Sequence, residues 1–285
     1  MDTLMIGHSP DADDAFMYYA LAKEKVKIGG YQIDHVMEDI ESLNHRARTG
    51  ELPVTAISAA AYPDVADKYR IMSCGSSVGR NYGPLVLSKS PMTVADLAGG
   101  CRVAIPGEYT TAYMLLSLYA GRAADEAAGF EPVSVDFDRI MQAVQSGETD
   151  AGVIIHEGQI TWQDSGLHKV LDLGEAWMED TKLPIPLGLD VINRSLGDEK
   201  MQTIARALKD SIVYAREHEE EAIDYALQFG RGIDRDTCRD FVRMYVNDDT
   251  VDMGDEGRRA LETLYGRAAE RGLIPKVPPL DIIQA

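Results

Sequence analysis

A single histidine stands directly after an apolar run in the middle of the sequence. Residues 147–158 read Gly-Glu-Thr-Asp-Ala-Gly-Val-Ile-Ile-His-Glu-Gly, which predicts a helix end at Gly147, a strand over 151–155 and His156 where the strand stops. Such a run is typical of a strand covered on both faces, and ligands of open parallel sheets bind beyond the carboxyl ends of the strands. We therefore expect His156 to face a ligand cleft. The alternative is a buried histidine that hydrogen-bonds to a backbone carbonyl.

A second group able to do chemistry is the helix start at Thr110 and Thr111. Residues 103–109 predict a strand and a glycine-containing turn, and the helix follows at once. A helix N-terminus carries unpaired N–H groups and partial positive charge, so it binds carboxylates and phosphates, and the two hydroxyls add donors. The alternative is that Thr110 only caps the helix. No phosphate-loop lysine follows, so the pattern does not favour nucleotide hydrolysis.

The elements that carry these residues occur twice in the chain. A helix over 40–49 ends at a glycine and precedes a strand over 54–58, as the helix over 140–146 ends at a glycine before the strand with the histidine. Aligning the two glycines places Ala59 on His156. The first strand and helix of the chain are likewise echoed by the strand and helix that carry the two threonines. This pattern predicts two successive α/β units.

Two stretches have the composition of connections between domains. Residues 73–88 are rich in glycine and serine and run into an apolar strand, and residues 183–193 contain two prolines and a glycine. Two crossings predict a discontinuous first domain. The predicted bounds are residues 1–85 plus 191–285 for domain 1 and 86–190 for domain 2, with crossovers near 83–88 and 184–192.

The C-terminal part of the chain is strongly helical. Its amphipathic pattern predicts four helices that pack on domain 1 as a scaffold, because they have capped ends and few site-like residues. The predicted helices cover residues 200–217, 219–230, 235–246 and 254–272.

Four more polar residues are candidates for the same cleft. Ser9 is followed by a proline, which fits a helix N-cap with proline at the first helical position. Ser58 ends the strand that repeats the one before the histidine. Asn81 and Tyr82 lie beside a glycine in the first connection, where they are expected to line the floor of the cleft.

Three acids follow Ser9 within a few residues, at Asp11, Asp13 and Asp14. They favour the positive end of the helix dipole, and capping alone explains them. A calcium loop needs a glycine and a distal glutamate that are missing here, so we expect no metal site.

Composition restricts the class of protein. The chain has 47 acids against 28 bases and a formal net charge of -19, which argues against nucleic-acid or anionic-membrane partners. Cys74, Cys101 and Cys238 are odd in number and widely spaced, so we interpret them as reduced thiols. The sequence shows neither a signal-peptide pattern nor an apolar stretch that approaches the roughly 20 residues of a membrane span. These features predict a cytoplasmic protein.

Several segments together resemble the 1,4-dihydroxy-6-naphthoate synthases of the futalosine route to menaquinone. The resemblance runs in order through both predicted units, and its most specific parts are the Thr-Thr helix start and the His-Glu-Gly. The segments are residues 9–16 (Ser-Pro-Asp-Ala-Asp-Asp-Ala-Phe), 82–86 (Tyr-Gly-Pro-Leu-Val), 105–112 (Ile-Pro-Gly-Glu-Tyr-Thr-Thr-Ala), 154–158 (Ile-Ile-His-Glu-Gly) and 183–188 (Leu-Pro-Ile-Pro-Leu-Gly).

The resemblance implies both a fold and an activity. The fold is the two-domain, periplasmic-binding-protein-like α/β fold of type 2, with the ligand cleft between the domains, in a cytoplasmic protein. The activity is the conversion of cyclic dehypoxanthine futalosine to 1,4-dihydroxy-6-naphthoate, a carbon–carbon lyase reaction with His156 as the base and without a metal or redox cofactor. The helix start at Thr110 and Thr111 would hold the substrate carboxylate. We expect a monomer or a homodimer that closes on its small-molecule substrate like a hinge.

One segment departs from the family pattern. The family often has Ser-Pro-Cys-Pro-Asn-Asp-Thr-Phe near the N-terminus, where this chain has Asp13 and Ala15 in place of the asparagine and the threonine. The side chains offered to a substrate there therefore differ. Two other functions remain open at this point, a chorismate dehydratase-type lyase of the same pathway and a non-catalytic solute-binding protein for a small carboxylic acid.

Overall fold

The computed structural model describes residues 2–121 and 129–285 as an α/β protein with two sheets. The strands are β1 (Asp2–His8), β2 (Tyr31–Met37), β3 (Val54–Ser58), β4 (Tyr69–Met72), β5 (Ser77–Gly79), β6 (Leu85–Ser88), β7 (Arg102–Ile105), β8 (Glu131–Ser134), β9 (Ala151–Ile154), β10 (His168–Asp172), β11 (Ile185–Asn193) and β12 (Ile282–Ile283). The helices are α1 (Ala12–Ala22), α2 (Ile40–Thr49), α3 (Tyr62–Val65), α4 (Val94–Leu97), α5 (Thr111–Tyr119), α6 (Ile140–Ser146), α7 (Gly158–Thr161), α8 (Leu173–Thr181), α9 (Asp198–Glu217), α10 (Glu219–Ala226), α11 (Arg235–Tyr245), α12 (Asp248–Val251) and α13 (Gly254–Glu270).

The first compact unit, unit 1, comprises Met1–Val78, Pro186–Arg258 and Pro278–Ala285. Its sheet has the order β12-β4-β11-β3-β1-β2, and β5 pairs with β11 away from this path. Strand β1 lies parallel to both β2 and β3, and β11 runs antiparallel to β3. The carboxyl ends of β1 and β3 therefore lie at the same edge of this sheet.

The second compact unit, unit 2, comprises Gly79–Ile185 and Arg259–Val277. Its sheet has the order β10-β6-β9-β7-β8. Strand β7 lies parallel to β8 and β9, and β6 runs antiparallel to β9. Each unit thus has a central strand between two parallel neighbours and an antiparallel strand beyond one of them, which confirms the internal repeat.

The repeated helix ends follow from two glycines. Gly50 ends α2 at φ 73° and Gly147 ends α6 at φ 81°, both in the left-handed region that glycine reaches without a steric penalty. In each case four residues separate the helix from the next strand. The predicted helices over 40–49 and 140–146 are therefore confirmed at their bounds.

The start of α1 differs from the prediction. Asp11, not Ser9, is the N-cap, and its side chain accepts a hydrogen bond from the Asp14 backbone N–H. The Ser9 N–H donates to the Asp14 carboxylate at 2.6 Å, two residues before the cap. The N-cap position predicted for Ser9 was therefore wrong by two residues, and Ser9 lies in the turn before the helix.

Helix α1 is buried along almost its whole length in unit 1. It packs against α9, α10 and α11, three of the predicted C-terminal helices, and each of these four helices buries apolar residues. Among these residues are Phe16, Met17, Leu21, Ile204, Leu208, Ile212, Ile223 and Phe241. The C-terminal helices thus cover an apolar helix that would otherwise be exposed.

The compact units and the predicted domain ranges differ in three segments, residues 79–85, 186–190 and 259–277. Residues 259–277, which include the C-terminal part of α13, group with unit 2, whereas the prediction places the whole C-terminal segment in domain 1. Within unit 2, Arg267 forms an ion pair with Asp180 and lies over the ring of the buried Trp177 at 5.5 Å. No helix in the described ranges is long and apolar enough to cross a membrane.

Candidate functional site

The carboxyl ends of β7 and β9 bring two of the predicted groups to one edge of the unit 2 sheet. The strands are adjacent and parallel, with Val103 opposite Ala151 and Ala104 opposite Gly152. The turn into α5 follows β7, and His156 follows β9. Helix α5 also contacts β9. The helix start and the histidine therefore lie at the same end of this sheet, as expected from the sequence.

His156 occupies a strained backbone conformation. Its φ of 54° lies in the left-handed region, which is uncommon for residues other than glycine and concentrates at functional sites. Its imidazole packs edge-on against Phe137, with the ring centroids 4.8 Å apart. Its carbonyl accepts a hydrogen bond from the Gln159 N–H at 3.0 Å, at the start of α7. The ring and the main chain of His156 are thus both held in place.

Two glycines beside the histidine are required by close packing. A Cβ at Gly158 would overlap the side chain of Ile154, so only glycine allows α7 to begin against the end of β9. A Cβ at Gly152 would lie 2.5 Å from Ile140 Cγ2 and 2.9 Å from Val144 Cγ2, so only glycine lets α6 pack this close to β9. The short strand and the sharp turn after it therefore set the direction in which His156 leaves the sheet.

The two threonines at the start of α5 have different roles. Thr110 is the N-cap, and its hydroxyl donates to the Gly107 carbonyl at 2.8 Å and accepts from the Tyr113 N–H at 3.3 Å. This is the capping alternative, so the Thr110 hydroxyl is already used within the protein. Thr111 is the first residue of the helix and is also buried. A contact between either threonine and a substrate stays a prediction.

Asn81 and Tyr82 lie in a tight turn of unit 2. Asn81 is exposed and adopts a left-handed φ of 66°, a conformation that asparagine tolerates better than most residues. A Cβ at Gly79 or at Gly174 would overlap the main chain of Tyr82, so both glycines allow that main chain to approach closely. The turn is rigidly packed, and contact between Asn81 or Tyr82 and a ligand stays a prediction.

Ser9 and Ser58 lie at the corresponding edge of the unit 1 sheet, after β1 and at the end of β3. The Ser58 N–H donates to the Asn44 Oδ1 atom at 2.8 Å, and the Asn44 amide donates back to the Ser58 hydroxyl at 3.1 Å. Asn44 is fully buried in α2. This partner was not predicted, because one polar residue on a helix gives no sign of which strand it will meet.

Unit 1 also contains a group of buried ionisable side chains near Ser9. Burial raises the pKa of Asp190 to about 7, and the Tyr18 hydroxyl acts in the opposite direction. Burial raises the pKa of Asp14 well above its usual value, and the charges of Asp11 and Asp190 raise it further. Both carboxyl groups therefore hold their protons to a higher pH than an exposed aspartate does. The signal for Asp190 was an acid inside the apolar strand segment 187–192, which the sequence analysis did not use.

A pair of histidines lies beside this acidic group. His8 Nε2 is 3.0 Å from His35 Nδ1, and the His8 ring stacks on Tyr18 with centroids 4.5 Å apart. Burial, and after it the charge of the neighbouring His35, lower the pKa of His8 to about 4. His8 is therefore neutral at physiological pH.

Comparison with known proteins places the chain in one family. The family model described as "Menaquinone biosynthesis" matches residues 4–270. A 1,4-dihydroxy-6-naphthoate synthase from Thermus thermophilus is 41% identical over 278 residues, which cover 98% of this chain and 98% of that protein.

Solved structures agree with the sequence comparison. A protein from Archaeoglobus fulgidus is 49% identical, with a TM-score of 0.89 over 95% of this chain and 98% of that one. The alkanesulfonate-binding protein SsuA from Xanthomonas axonopodis is 14% identical, with a TM-score of 0.73 over 100% of this chain and 99% of that one. The second likeness concerns the fold alone and confirms the predicted periplasmic-binding-protein-like α/β fold. By the match along nearly its whole length and the identity to its relatives, the chain belongs to the menaquinone-biosynthesis family.

Proposed function

We propose that this protein is a 1,4-dihydroxy-6-naphthoate synthase that acts on cyclic dehypoxanthine futalosine, with His156 as the general base. The observation that carries the proposal is the left-handed main chain of His156 at the end of β9, fixed by the close approach of Gly158 to Ile154. Backbone strain of this kind clusters at active sites and ligand clamps, and a general base at a strand end has no purpose in a binding protein without chemistry. The name of the relative from Thermus thermophilus gives further support.

The proposed chemistry needs one base and one anion-binding group. The neutral imidazole of His156 takes a proton from the substrate, and the carbon–carbon bond to the sugar-derived part breaks. The electron pair that the proton leaves behind forms a double bond in the sugar-derived part as the carbon–carbon bond breaks. The electron pair of the broken bond passes into the ring, which becomes aromatic, and the imidazolium returns the proton to an oxygen of that ring. A positioned base of this kind typically contributes about 10²-fold to 10⁴-fold in rate.

The start of α5 is the proposed site for the substrate carboxylate. Helix α5 lies at the same end of the unit 2 sheet as His156, and its N-terminus supplies partial positive charge in a protein with a net charge of -19. The Thr110 hydroxyl caps the helix, and we assign the side-chain hydrogen bond to the carboxylate to Thr111, the first residue of the helix. Holding the carboxylate there fixes the substrate relative to the base.

The test is to incubate the purified protein with each precursor separately. We expect cyclic dehypoxanthine futalosine to give 1,4-dihydroxy-6-naphthoate, detected by its absorbance and its mass, and we expect chorismate to be left unchanged. Dehydration of chorismate would instead assign the related lyase activity of the pathway. Tight binding of the futalosine derivative with no turnover would indicate a solute-binding protein. Either result would contradict the proposed function.

A further inference from the structure

Phe137 follows a third strand that ends at the histidine edge of the unit 2 sheet. Strand β7 lies parallel to both β8 and β9, so the carboxyl ends of all three strands lie at one edge. After β8, the Val135 N–H donates to the Ile105 carbonyl at 3.0 Å, which joins this segment to the end of β7. A single 3₁₀ turn, Phe137–Arg139, comes next. Phe137 therefore lies at the same edge of the sheet as His156.

The Phe137 ring connects the core of unit 2 to the His156 imidazole. It packs against a cluster of buried apolar residues that includes Ile140, Val144 and Ile154. The same ring forms a T-shaped contact with the imidazole, with the ring centroids 4.8 Å apart and the ring planes at 68°. This distance and this angle are typical of the favoured edge-to-face arrangement of aromatic rings. Because the core holds the phenyl ring, the imidazole has a fixed neighbour.

The internal repeat separates the role of this ring from that of an ordinary core residue. The alignment of the two helix-ending glycines pairs Phe137 with Ile40. The same alignment pairs His156 with Ala59. Ile40 is the first residue of α2 and packs against an apolar cluster of unit 1, so an aliphatic side chain is sufficient to fill this position at a helix start. The aromatic side chain is present in the unit that has the histidine.

The two helix starts also differ in shape. In unit 1 the helix is an α-helix from Ile40 onwards, whereas in unit 2 the first turn is a 3₁₀ turn and α6 begins only at Ile140. A 3₁₀ turn has 3.0 residues per turn in place of 3.6, which changes the direction of its first side chain relative to the helix axis. The tighter turn therefore gives Phe137 a direction different from that of its counterpart in unit 1.

We propose that Phe137 is a positioning residue for the base, and that its ring keeps the His156 imidazole in the orientation that takes the substrate proton. This inference rests on the proposed function for the reaction. Phe137 acts through the imidazole and needs no contact with the substrate. An aromatic pair of this kind favours the oriented imidazole over other orientations by about 2-fold to 12-fold, which sets the size of the effect expected on kcat.

The experiment compares replacements of Phe137 by steady-state kinetics with cyclic dehypoxanthine futalosine. Phe137→Ile keeps an apolar side chain against the core, removes the ring and introduces the residue type found at the equivalent position of unit 1. We expect kcat to fall by about 2-fold to 12-fold and KM to change little, because the substrate carboxylate is held at α5. Phe137→Leu should give the same result and serves if the first variant does not fold. Phe137→Tyr keeps the ring at this half-buried position and should keep kcat near that of the wild type.

A double variant tests whether Phe137 acts through the histidine. In His156→Asn there is no imidazole to orient, so the addition of Phe137→Ile should not lower kcat further. Phe229→Ile is the matched control. Phe229 is a half-buried phenylalanine of unit 1 that forms a T-shaped contact with Tyr225, with the ring centroids 5.3 Å apart. Its replacement should leave kcat unchanged, and thermal unfolding of every variant checks that it is folded.

A measurement without turnover keeps this inference separate from the proposed function. In isotope-labelled protein, the scalar couplings of the His156 side chain report its rotamer. We expect a single rotamer in the wild type and in Phe137→Tyr. In Phe137→Ile the couplings should average over several rotamers, because the fixed neighbour of the imidazole is gone.

Four results would contradict the role of Phe137. They are a wild-type kcat in folded Phe137→Ile and Phe137→Leu, an equal loss of kcat in Phe137→Tyr, a further loss in the double variant, and unchanged His156 couplings in Phe137→Ile. The proposed function fails separately, if the wild-type protein binds the precursor but forms no naphthoate. The couplings would then still decide whether Phe137 orients His156.

Discussion

A side chain at position 75 would overlap the carboxyl group of Asp190. Gly75 adopts a left-handed φ of 82°, and its main chain lies directly against Asp190 Oδ2. Asp190 is 1% exposed, in the middle of β11. Gly75 therefore leaves the space that a buried acid needs within a strand of apolar residues. Two predictions follow from this contact, one for the acid and one for the glycine.

Because Asp190 is buried, we expect the free energy of unfolding to fall as the pH rises through the weakly acidic range. The pKa of Asp190 is about 7 in the folded protein and 3.8 in its unperturbed state. Between pH 3.8 and about pH 7, Asp190 is mostly ionised in the unfolded chain and mostly protonated in the folded protein. Each rise in pH within this range therefore lowers the free energy of unfolding. The Asp190→Asn variant has no carboxyl group to ionise at this position. We expect the substitution to raise the free energy of unfolding at pH 7.5 by a few kcal/mol and to change that free energy little at pH 4.

Urea unfolding at a series of pH values measures this effect. Asp67→Asn is the control, because it replaces an exposed acid of the same unit. It should leave the pH dependence as in the wild type. If Asp190→Asn and the wild type lose stability equally between pH 4 and pH 7.5, Asp190 is ionised in the folded protein and the prediction is wrong.

Gly75→Ala should be much more destabilising than Gly232→Ala. Both glycines have a left-handed φ, 82° and 89°, so both substitutions carry the conformational cost of about 1–2 kcal/mol for an L-residue there. Only at Gly75 does the new Cβ also meet Asp190, whereas nothing lies within 4 Å of a Cβ at Gly232. Thermal unfolding of the two variants measures the difference. Equal losses of stability would mean that the Asp190 side chain moves aside at no cost.

His156→Asn should retain the fold and lose activity. Asparagine tolerates the left-handed φ of 54° better than most residues, so we expect little change in the unfolding temperature. Loss of the general base should lower kcat by about 10²-fold to 10⁴-fold, while the dissociation constant of the naphthoate product changes little.

His168→Asn is the control for this variant, because His168 is an exposed histidine in β10 of the same unit. It should have wild-type kcat. If His156→Asn also keeps a kcat near that of the wild type, His156 is structural and another group takes the proton.

Substitutions of the two threonines at the start of α5 should have different effects, one on stability and the other on ligand binding. Thr110→Val removes the helix cap and should cost about 1 kcal/mol of stability. Thr111→Val keeps the shape of the side chain and removes its hydroxyl. If that hydroxyl donates to the substrate carboxylate, affinity should fall about ten-fold or more, because a hydrogen bond to a charged group contributes about 1.5–3 kcal/mol. Calorimetry with the naphthoate product and thermal unfolding of both variants measure the two effects. Unchanged affinity in Thr111→Val would place the carboxylate at another group.

Much of the local structure could be predicted because it depends on residues close in sequence. Gly50 and Gly147 end their helices through a left-handed φ, which the glycines themselves permit. The same local pattern placed His156 after a buried strand. The cap of α1 was less predictable, because Ser9 and Asp11 are both good N-cap residues and only the folded turn shows which of them is used.

The sequence by itself determined the repeated order of strands and helices, the family and the position of His156 at a strand end. These depend on apolar periodicity, on glycines and on motifs that are continuous along the chain. Only the tertiary structure decided that Asp14 bonds to Ser9, that the Thr110 hydroxyl is used within its own turn, and that Asp190 is buried against Gly75. The last of these contacts joins residues more than a hundred positions apart. Local periodicity does not specify which side chains meet across such a distance, since packing of the whole unit selects the partners.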